Sequence, residues 1–379
     1  MVYDYLIVGA GLSGTMLARN LAESDFKILL LEKNNHIDGC CYDETDAQGI
    51  VVHRYGAHIV HTNFKDVWQF LSRFTKWRDY EHEVLCCVDG SYIPIPFNFH
   101  SLIKVFNGRA LPIQDMLIQK YRWKTKISIL DLMNSKETLL KDVGDYIYQK
   151  IFKNYTIKQW GMEPYEISTE VIRRVPVYTD YDNRYFTDTY QGIPQDGYTP
   201  MTQAMLLHPN IELRLQTSFE SVCVFEDGKI TLQGRPFDGM LIYTGPLDKL
   251  FQYKFGYLPY RSLKFEFESL KTDHYQPKAV INYPNDYDYT RIIEFKHLTG
   301  QQCRGTAICR EYPQAFEPTV NEPFYSLMTT RSRQAYDAYA TEAKRFDNLI
   351  LAGRLADFRY YDMDDAVNNA LDLAGTLTS

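Results

Sequence analysis

The chain lacks long apolar runs. Its hydrophobic stretches, such as Ile28–Leu31, are strand-sized, far short of the ~20 residues that span a bilayer. No transmembrane helix is therefore expected. The sequence opens on a strand pattern, Tyr3-Asp4-Tyr5-Leu6-Ile7-Val8, with no basic region leading into an apolar core. That argues against a secretory leader and predicts a cytoplasmic protein. C-x-x-C spacing is also missing. The seven cysteines include the adjacent pairs Cys40-Cys41 and Cys86-Cys87, which suit neither a zinc site nor a redox pair. Reduced, mostly buried thiols are expected. No G-x-S-x-G elbow, nucleophilic cysteine signature or metal-ligand cluster stands out, so metal ligands are not expected. An excess of positive charge is also missing: the formal net charge is −7, which argues against a nucleic-acid surface.

What is abundant is tyrosine. There are 30, and many lie close to arginines after residue 145. Most must serve ordinary packing on strands and helices. Arginine forks nevertheless suit phosphates, and tyrosine faces suit bases and sugars. An acidic chain with local Arg/Tyr islands points to a small anionic ligand. With 379 residues and 45% hydrophobic content, the chain can build one large core or two to three packed domains.

The N-terminus carries the sharpest local signal. The strand-like Tyr3–Val8 runs into Gly9-Ala10-Gly11-Leu12-Ser13-Gly14, a G-x-G-x-x-G turn. A helix to about Ser24 comes next, with Leu12, Met16, Leu17 and Leu21 on one face, and then a strand from Lys27 to Leu31 ending in Glu32. This is the order of a dinucleotide site. Gly9 permits the tight turn, Gly11 lets backbone approach a pyrophosphate, and Gly14 lets helix and strand pack closely. The helix start presents unpaired N–H groups to phosphate, and Glu32 can accept hydrogen bonds from a ribose diol. Downstream, Lys33 leads through Asp38-Gly39 to Cys40-Cys41. A glycine turn so soon after the acid resembles the extended FAD fingerprint of flavoproteins with two dinucleotide-type domains, so FAD is the expected cofactor.

The far end of the chain reads as a return to the same domain. Leu349–Leu351 leads into Ala352-Gly353-Arg354, and Asp362-Met363 opens a helix to about Ala374. Ile242-Tyr243-Thr244 reads as another returning strand. Residues ~100–170 have helical spacing. Residues ~175–200 and ~258–325 read as an antiparallel sheet, with Ser262–Phe267 alternating as a half-buried strand. The expected fold is α/β. A discontinuous FAD-binding Rossmann-like domain (1–79, 205–245, 340–379) carries an inserted helical domain (98–172) and an antiparallel sheet domain (80–97, 173–204, 246–339).

Several stretches together resemble the bacterial UDP-galactopyranose mutases. They include Tyr55-Gly56-Ala57-His58 through His61-Thr62-Asn63, and Tyr155-Thr156-Ile157-Lys158-Gln159-Trp160-Gly161. Arg174-Val175-Pro176, Asn183-Arg184-Tyr185-Phe186 and Tyr190-Gln191-Gly192-Ile193-Pro194 come after them. Tyr260-Arg261-Ser262, Ala279–Tyr283, Tyr289-Thr290-Arg291, Glu322–Tyr325 and Gly353-Arg354 through Met363 complete the series. The match runs in order along essentially the whole chain.

The resemblance implies a flavin-dependent isomerase that interconverts pyranose and furanose forms of a nucleotide sugar, most directly UDP-galactose, without net redox change. In that family N-5 of reduced FAD attacks the anomeric carbon, displaces the nucleotide and gives an iminium-linked sugar. An external reductant, NAD(P)H or a reductase, and a homodimer are implied as well. The resemblance assigns Arg174 and Arg354 to the diphosphate, with Arg291, Tyr185, Tyr325 and Tyr360 completing that shell. It assigns Phe152, Tyr155, Thr156 and Trp160 to the base, and Asn282 to uridine or sugar. Arg261 is a further substrate candidate and reads equally as a structural ion-pair residue. His58 and His61 would sit beside the flavin, His61 with a catalytic role. Gly9, Gly11, Leu12, Ser13, Gly14, Glu32, Lys33, Gly39, Cys40, Gly353, Asp362 and Met363 would hold the cofactor.

Some positions depart from the family's usual pattern. Asp38-Gly39-Cys40 stands for Gly-Gly-Asn, Val60 for Phe, His82-Glu83 for Asn-Arg, and Phe324-Tyr325-Ser326 for Tyr-Tyr-Pro. These leave the flavin and diphosphate machinery intact but open the choice of sugar, with UDP-N-acetylgalactosamine and dTDP-fucose as rivals. An amine-oxidase-like FAD enzyme would share the N-terminal fingerprint but should show an apolar channel in place of the Arg/Tyr islands. A non-catalytic nucleotide-binding protein is the remaining alternative.

Overall fold

The structure is a computed structural model, and it describes residues 3–163, 176–226 and 228–379. Its first layer is a five-stranded, all-parallel sheet ordered Ile211–Arg214, Ile28–Leu31, Tyr5–Val8, Met240–Tyr243, Leu349–Leu351. A parallel sheet covered on both faces needs strands that are apolar throughout, and Ile28–Leu31 is buried at every position. Alternate residues serve the two faces. Ile7, Ile28, Leu30 and Ile242 join the cluster beneath the first helix Leu12–Glu23 and the C-terminal helix Met363–Thr378. Leu6, Leu29, Leu31 and Leu241 join the opposite one.

A seven-stranded sheet forms the second layer. Its order is Tyr325–Ser326, Tyr260–Leu270, Thr306–Ala315, Arg291–Glu294, Val280–Asn282, Val84–Val88, Ser91–Ile95. The sequence suggests an antiparallel sheet; one pair, Val280–Asn282 with Val84–Val88, is parallel, because the Val84 strand reaches the sheet from a distant part of the chain. One face packs on the helical segment in the largest apolar cluster.

That segment holds Phe99–Phe106, Ala110–Tyr121, Ile129–Met133, Thr138–Ile147 and Lys153–Trp160. Asn98 caps its first helix by accepting from the Ser101 N–H at 3.1 Å while the Ser101 hydroxyl accepts from the Asn98 N–H at 3.2 Å. A π-helical turn, Tyr148–Phe152, joins the last two helices. Within residues 176–200 only Pro176–Tyr178 and Tyr190–Pro194 are strands, and a helix, Tyr198–Leu206, comes after them. Tyr190–Pro194 lies between Val60–Thr62 and Trp77–Asp79 and so anchors His61.

Among the described residues no helix is long and apolar enough to cross a membrane. His274, Glu294 and His297 converge, a grouping not foreseen from sequence. The buried Glu294 carboxylate there already accepts from Tyr275 N, Gln276 N and the Thr306 hydroxyl, and His297 Nε2 lies 2.8 Å from the Gln276 carbonyl.

Candidate active site

The glycine turn is built as its spacing demands. Gly9 has φ +100°, and a Cβ there would lie 2.2 Å from Thr244 Oγ1. A Cβ on Gly14 would lie 1.9 Å from the Gly9 carbonyl oxygen, so only glycine lets the helix sit this close to the strand. Gly11 N-caps the helix with no side-chain cap, leaving the first-turn N–H groups toward a ligand. Glu32 is 5% exposed. Its carboxylate accepts from Ala10 N and Asn34 N, each at 2.9 Å. It thereby braces the turn and keeps lone pairs for a diol.

A cavity of about 1260 Å³ runs from this turn. Typical small-molecule pockets span roughly 300–1,000 Å³, so there is room for a dinucleotide and a second ligand together. Gly9, Gly11, Leu12, Ser13, Gly14, Glu32, Lys33, Gly39, Cys40, His58, His61, Gly353, Asp362 and Met363 all line it. Lys33 pairs with Glu322 at 2.7 Å on the exposed rim.

The same cavity is lined by Tyr155, Trp160, Tyr185, Asn282, Arg291, Tyr325, Arg354 and Tyr360. Trp160, Tyr325 and Tyr360 form one aromatic group, with ring centroids 5.9–6.5 Å apart. Burial raises the phenol pKa of Tyr155, Tyr325 and Tyr360, so they remain neutral hydrogen-bonding groups. Asn282 presents a buried Oδ1 with no hydrogen-bond partner among the described residues, which marks a site for a ligand donor.

The two arginines differ in surroundings. Burial pulls the Arg291 pKa down, but the Glu311 carboxylate more than offsets this, and the group stays charged. Arg354 is also opposed by burial, with Cys40, Tyr325 and Tyr360 around it. Its guanidinium stands 5.8 Å from the Tyr325 ring centroid. Among the described residues no ion pair joins Arg354 to a carboxylate.

The histidines are held differently too. His61 Nδ1 lies 3.0 Å from Asp188 Oδ2, and its ring stacks on Phe186 at 3.6 Å and 12°. Burial lowers the pKa of His58 to about 3, aided by His53, and that of His82 to about 3, aided by Arg291. Both rings are therefore neutral. Burial also lifts Asp38 to about 7. Its backbone is left-handed at φ +77°, and its Oδ2 has no partner among the described residues.

Three expected substrate residues lie outside the lining. Phe152 and Thr156 are buried, 5% and 3% exposed. The π turn adds a residue to the helix and rotates the next turn about the axis: Phe152 enters the core, while Tyr155, Gln159 and Trp160 reach the cavity. Arg261 donates to the Lys158 and Gln159 carbonyls at 3.1 Å and so satisfies carbonyls at the helix C-terminus. Arg174 lies outside the described residues. Conversely, Glu311, Asp188, Phe186, Gln159 and the buried His82 belong to the site and were not singled out as site residues from sequence.

Fold and site together define a dinucleotide-binding enzyme whose pocket continues into a cationic, aromatic chamber. Residues 150–360 match the family described as UDP-galactopyranose mutase, and residues 7–74 match an NAD(P)-binding Rossmann-like domain. The dTDP-fucopyranose mutase of Escherichia coli is 35% identical over 97% of this chain and 97% of its own length. The UDP-galactopyranose mutase of Mycoplasma genitalium is 33% identical over 100% of this chain and 95% of its own. A crystal structure of reduced UDP-galactopyranose mutase superposes with TM-score 0.73 at 16% identity, covering 100% of this chain and 94% of that one. The chain belongs to the UDP-galactopyranose mutase family and is an isomerase of that kind.

Proposed function

We propose that this enzyme interconverts the pyranose and furanose forms of a nucleotide sugar, UDP-galactopyranose and UDP-galactofuranose first among them, with FAD as cofactor. The observation that carries the reading is the single cavity joining the glycine turn to the Arg291, Arg354 and tyrosine chamber. The orphan Asn282 Oδ1 and the close packing at Gly9 and Gly14 fit a bound dinucleotide with a second ligand beyond it. When bound and reduced, the flavin supplies the nucleophile, N-5, that takes the sugar from the nucleotide.

This chain's residues do the rest. Arg354, with Arg174 by resemblance, holds the diphosphate as it gains charge on leaving. Arg291 and the hydroxyls of Tyr185, Tyr325 and Tyr360 complete its hydrogen bonds. Tyr155 and Trp160 border the base. Held by these contacts, the freed nucleotide is kept for return. An external reductant must restore the reduced cofactor but is not consumed per turnover.

The dTDP-fucopyranose form of the reaction is a second reading, supported by the 35% identity to the Escherichia coli enzyme over 97% of both chains. The test is turnover by reduced protein of each nucleotide sugar, resolved into pyranose and furanose by chromatography. A colourless protein that cannot be reconstituted with FAD would overturn the cofactor assignment.

A further inference from the structure

Ring contraction of a pyranose has a proton requirement that the diphosphate clamp does not meet. The C1–O5 bond breaks and O5 takes up a proton. The C1–O4 bond forms and O4 gives one up. No electrons are exchanged overall, and one proton moves between two oxygens of the same sugar. A single bifunctional acid–base group serves this best, since it can donate at one oxygen and accept at the next.

His61 has the surroundings of such a group. Its Nδ1 lies 3.0 Å from Asp188 Oδ2. The other carboxylate oxygen, Oδ1, accepts from Asn63 Nδ2 at 2.7 Å, and Asn63 Oδ1 accepts from the Thr189 N–H at 2.9 Å. The carboxylate is thus fixed at both ends. A carboxylate accepts and does not donate, so Nδ1 carries the proton and Nε2 is left to exchange one. The Phe186 ring, parallel at 3.6 Å, fixes the imidazole plane. His61 lines the cavity, and its Nε2 has no hydrogen-bond partner among the described residues. The other titratable or charged groups around it are Asp364, on the adjoining helix Met363–Thr378, and His82, which also faces Arg291. The neutral His82 is the worse candidate: its Nδ1 pairs with the Tyr80 hydroxyl at 3.2 Å and no carboxylate orients it.

We propose that His61 moves the proton between O5 and O4 of the sugar through Nε2, and that Asp188 is a positioning residue that sets its tautomer and plane. The step rests on the mutase reading above. His61 starts as the imidazolium beside the Asp188 carboxylate and gives its Nε2 proton to O5 as the ring opens. The neutral Nε2 then takes the O4 proton as O4 closes on C1, and His61 ends as it began.

The test uses the full-length, cofactor-loaded enzyme and the variants His61→Gln, His61→Ala and Asp188→Asn. Bound-flavin absorbance and UDP affinity should match wild type in all three. The expected loss in kcat is on the order of 10²-fold for His61→Gln, the scale of one general acid–base group. The solvent deuterium isotope effect and the pH dependence of kcat should change in the same variants. Added imidazole should restore part of the His61→Ala rate. Wild-type turnover with His61→Gln within about threefold of it would overturn the proposal while leaving the mutase reading standing. So would a loss that tracks cofactor content and is not rescued by imidazole. Absence of interconversion by the wild-type enzyme on any nucleotide sugar would overturn both.

Discussion

Arg291 and Glu311 are locked together: Nε and Nη2 of the guanidinium each lie 3.0 Å from the same carboxylate oxygen. Glu311 is buried, 1% exposed, while Arg291 is partly open to the cavity it lines. Arg291 thus brings directed hydrogen bonds but little net charge to the chamber. Arg354, with no carboxylate partner among the described residues, brings the charge.

Arg354→Ala should therefore lower kcat by on the order of 10²-fold, the scale of one preorganised electrostatic contact. UDP affinity should fall much less, because the diphosphate gains charge only as the glycosidic bond breaks. Arg354→Lys should recover part of the rate, since a point charge replaces the fork incompletely. Equal losses in kcat and in UDP binding would show uniform binding instead.

Arg174→Ala is expected to resemble Arg354→Ala, while Arg173→Ala should leave kcat near wild type. The two neighbours share a charge, and only Arg174 falls on the family's matched position. Steady-state kinetics of both variants check this. Equal damage would reduce the assignment to general electrostatics.

Gly14→Ala should abolish cofactor binding. The added Cβ would lie 1.9 Å from the Gly9 carbonyl oxygen, and neither backbone can yield without opening the turn. The flavin-to-protein absorbance ratio of the purified variant measures the loss. A full complement of flavin would contradict the role given to the turn.

The parts of this site legible in the sequence were local. Strand, glycine turn, helix and Glu32 fall within one short stretch, and each element's period or spacing announces it. Glu311 was not legible. It meets Arg291 only through the antiparallel register that sets the two residues opposite each other. Asp188 reaches His61 in the same way, across the Tyr190–Pro194 pairing with Val60–Thr62. Phe152 and Thr156 were assigned by resemblance together with Tyr155 and Trp160; the structure buries the first two and turns the other two to the cavity, a split that a motif match does not resolve. For Arg261 the sequence admitted both a ligand contact and a structural ion pair; the structure shows neither of these directly but places its guanidinium on the Lys158 and Gln159 carbonyls, partners no sequence signal announces.

Stability should carry two opposed pH dependences. Burial raises the Asp38 carboxyl to about 7, against roughly 3.9 in an unfolded chain. The folded protein binds more protons between those values, so this contribution is present below pH ~4 and is lost as pH rises toward 7. Asp38→Asn should remove that slope and raise Tm at pH 8. Burial lowers His53 to about 4 and His58 and His82 to about 3. Their contribution is complete above pH ~6.5 and is lost as pH falls through that range. Thermal melts of wild type and Asp38→Asn from pH 4 to 8 resolve the two. A variant with the wild-type slope would contradict the Asp38 assignment.

The most direct measurement of the central claim is chromatographic turnover by dithionite-reduced, flavin-loaded protein. The substrates are UDP-galactopyranose, UDP-N-acetylgalactosamine and dTDP-fucopyranose, with the flavin spectrum followed throughout. The expected result is pyranose–furanose conversion of at least one of them, only after reduction, with the flavin still reduced at the end. No conversion of any substrate, or one equivalent of reductant consumed per product, would contradict it.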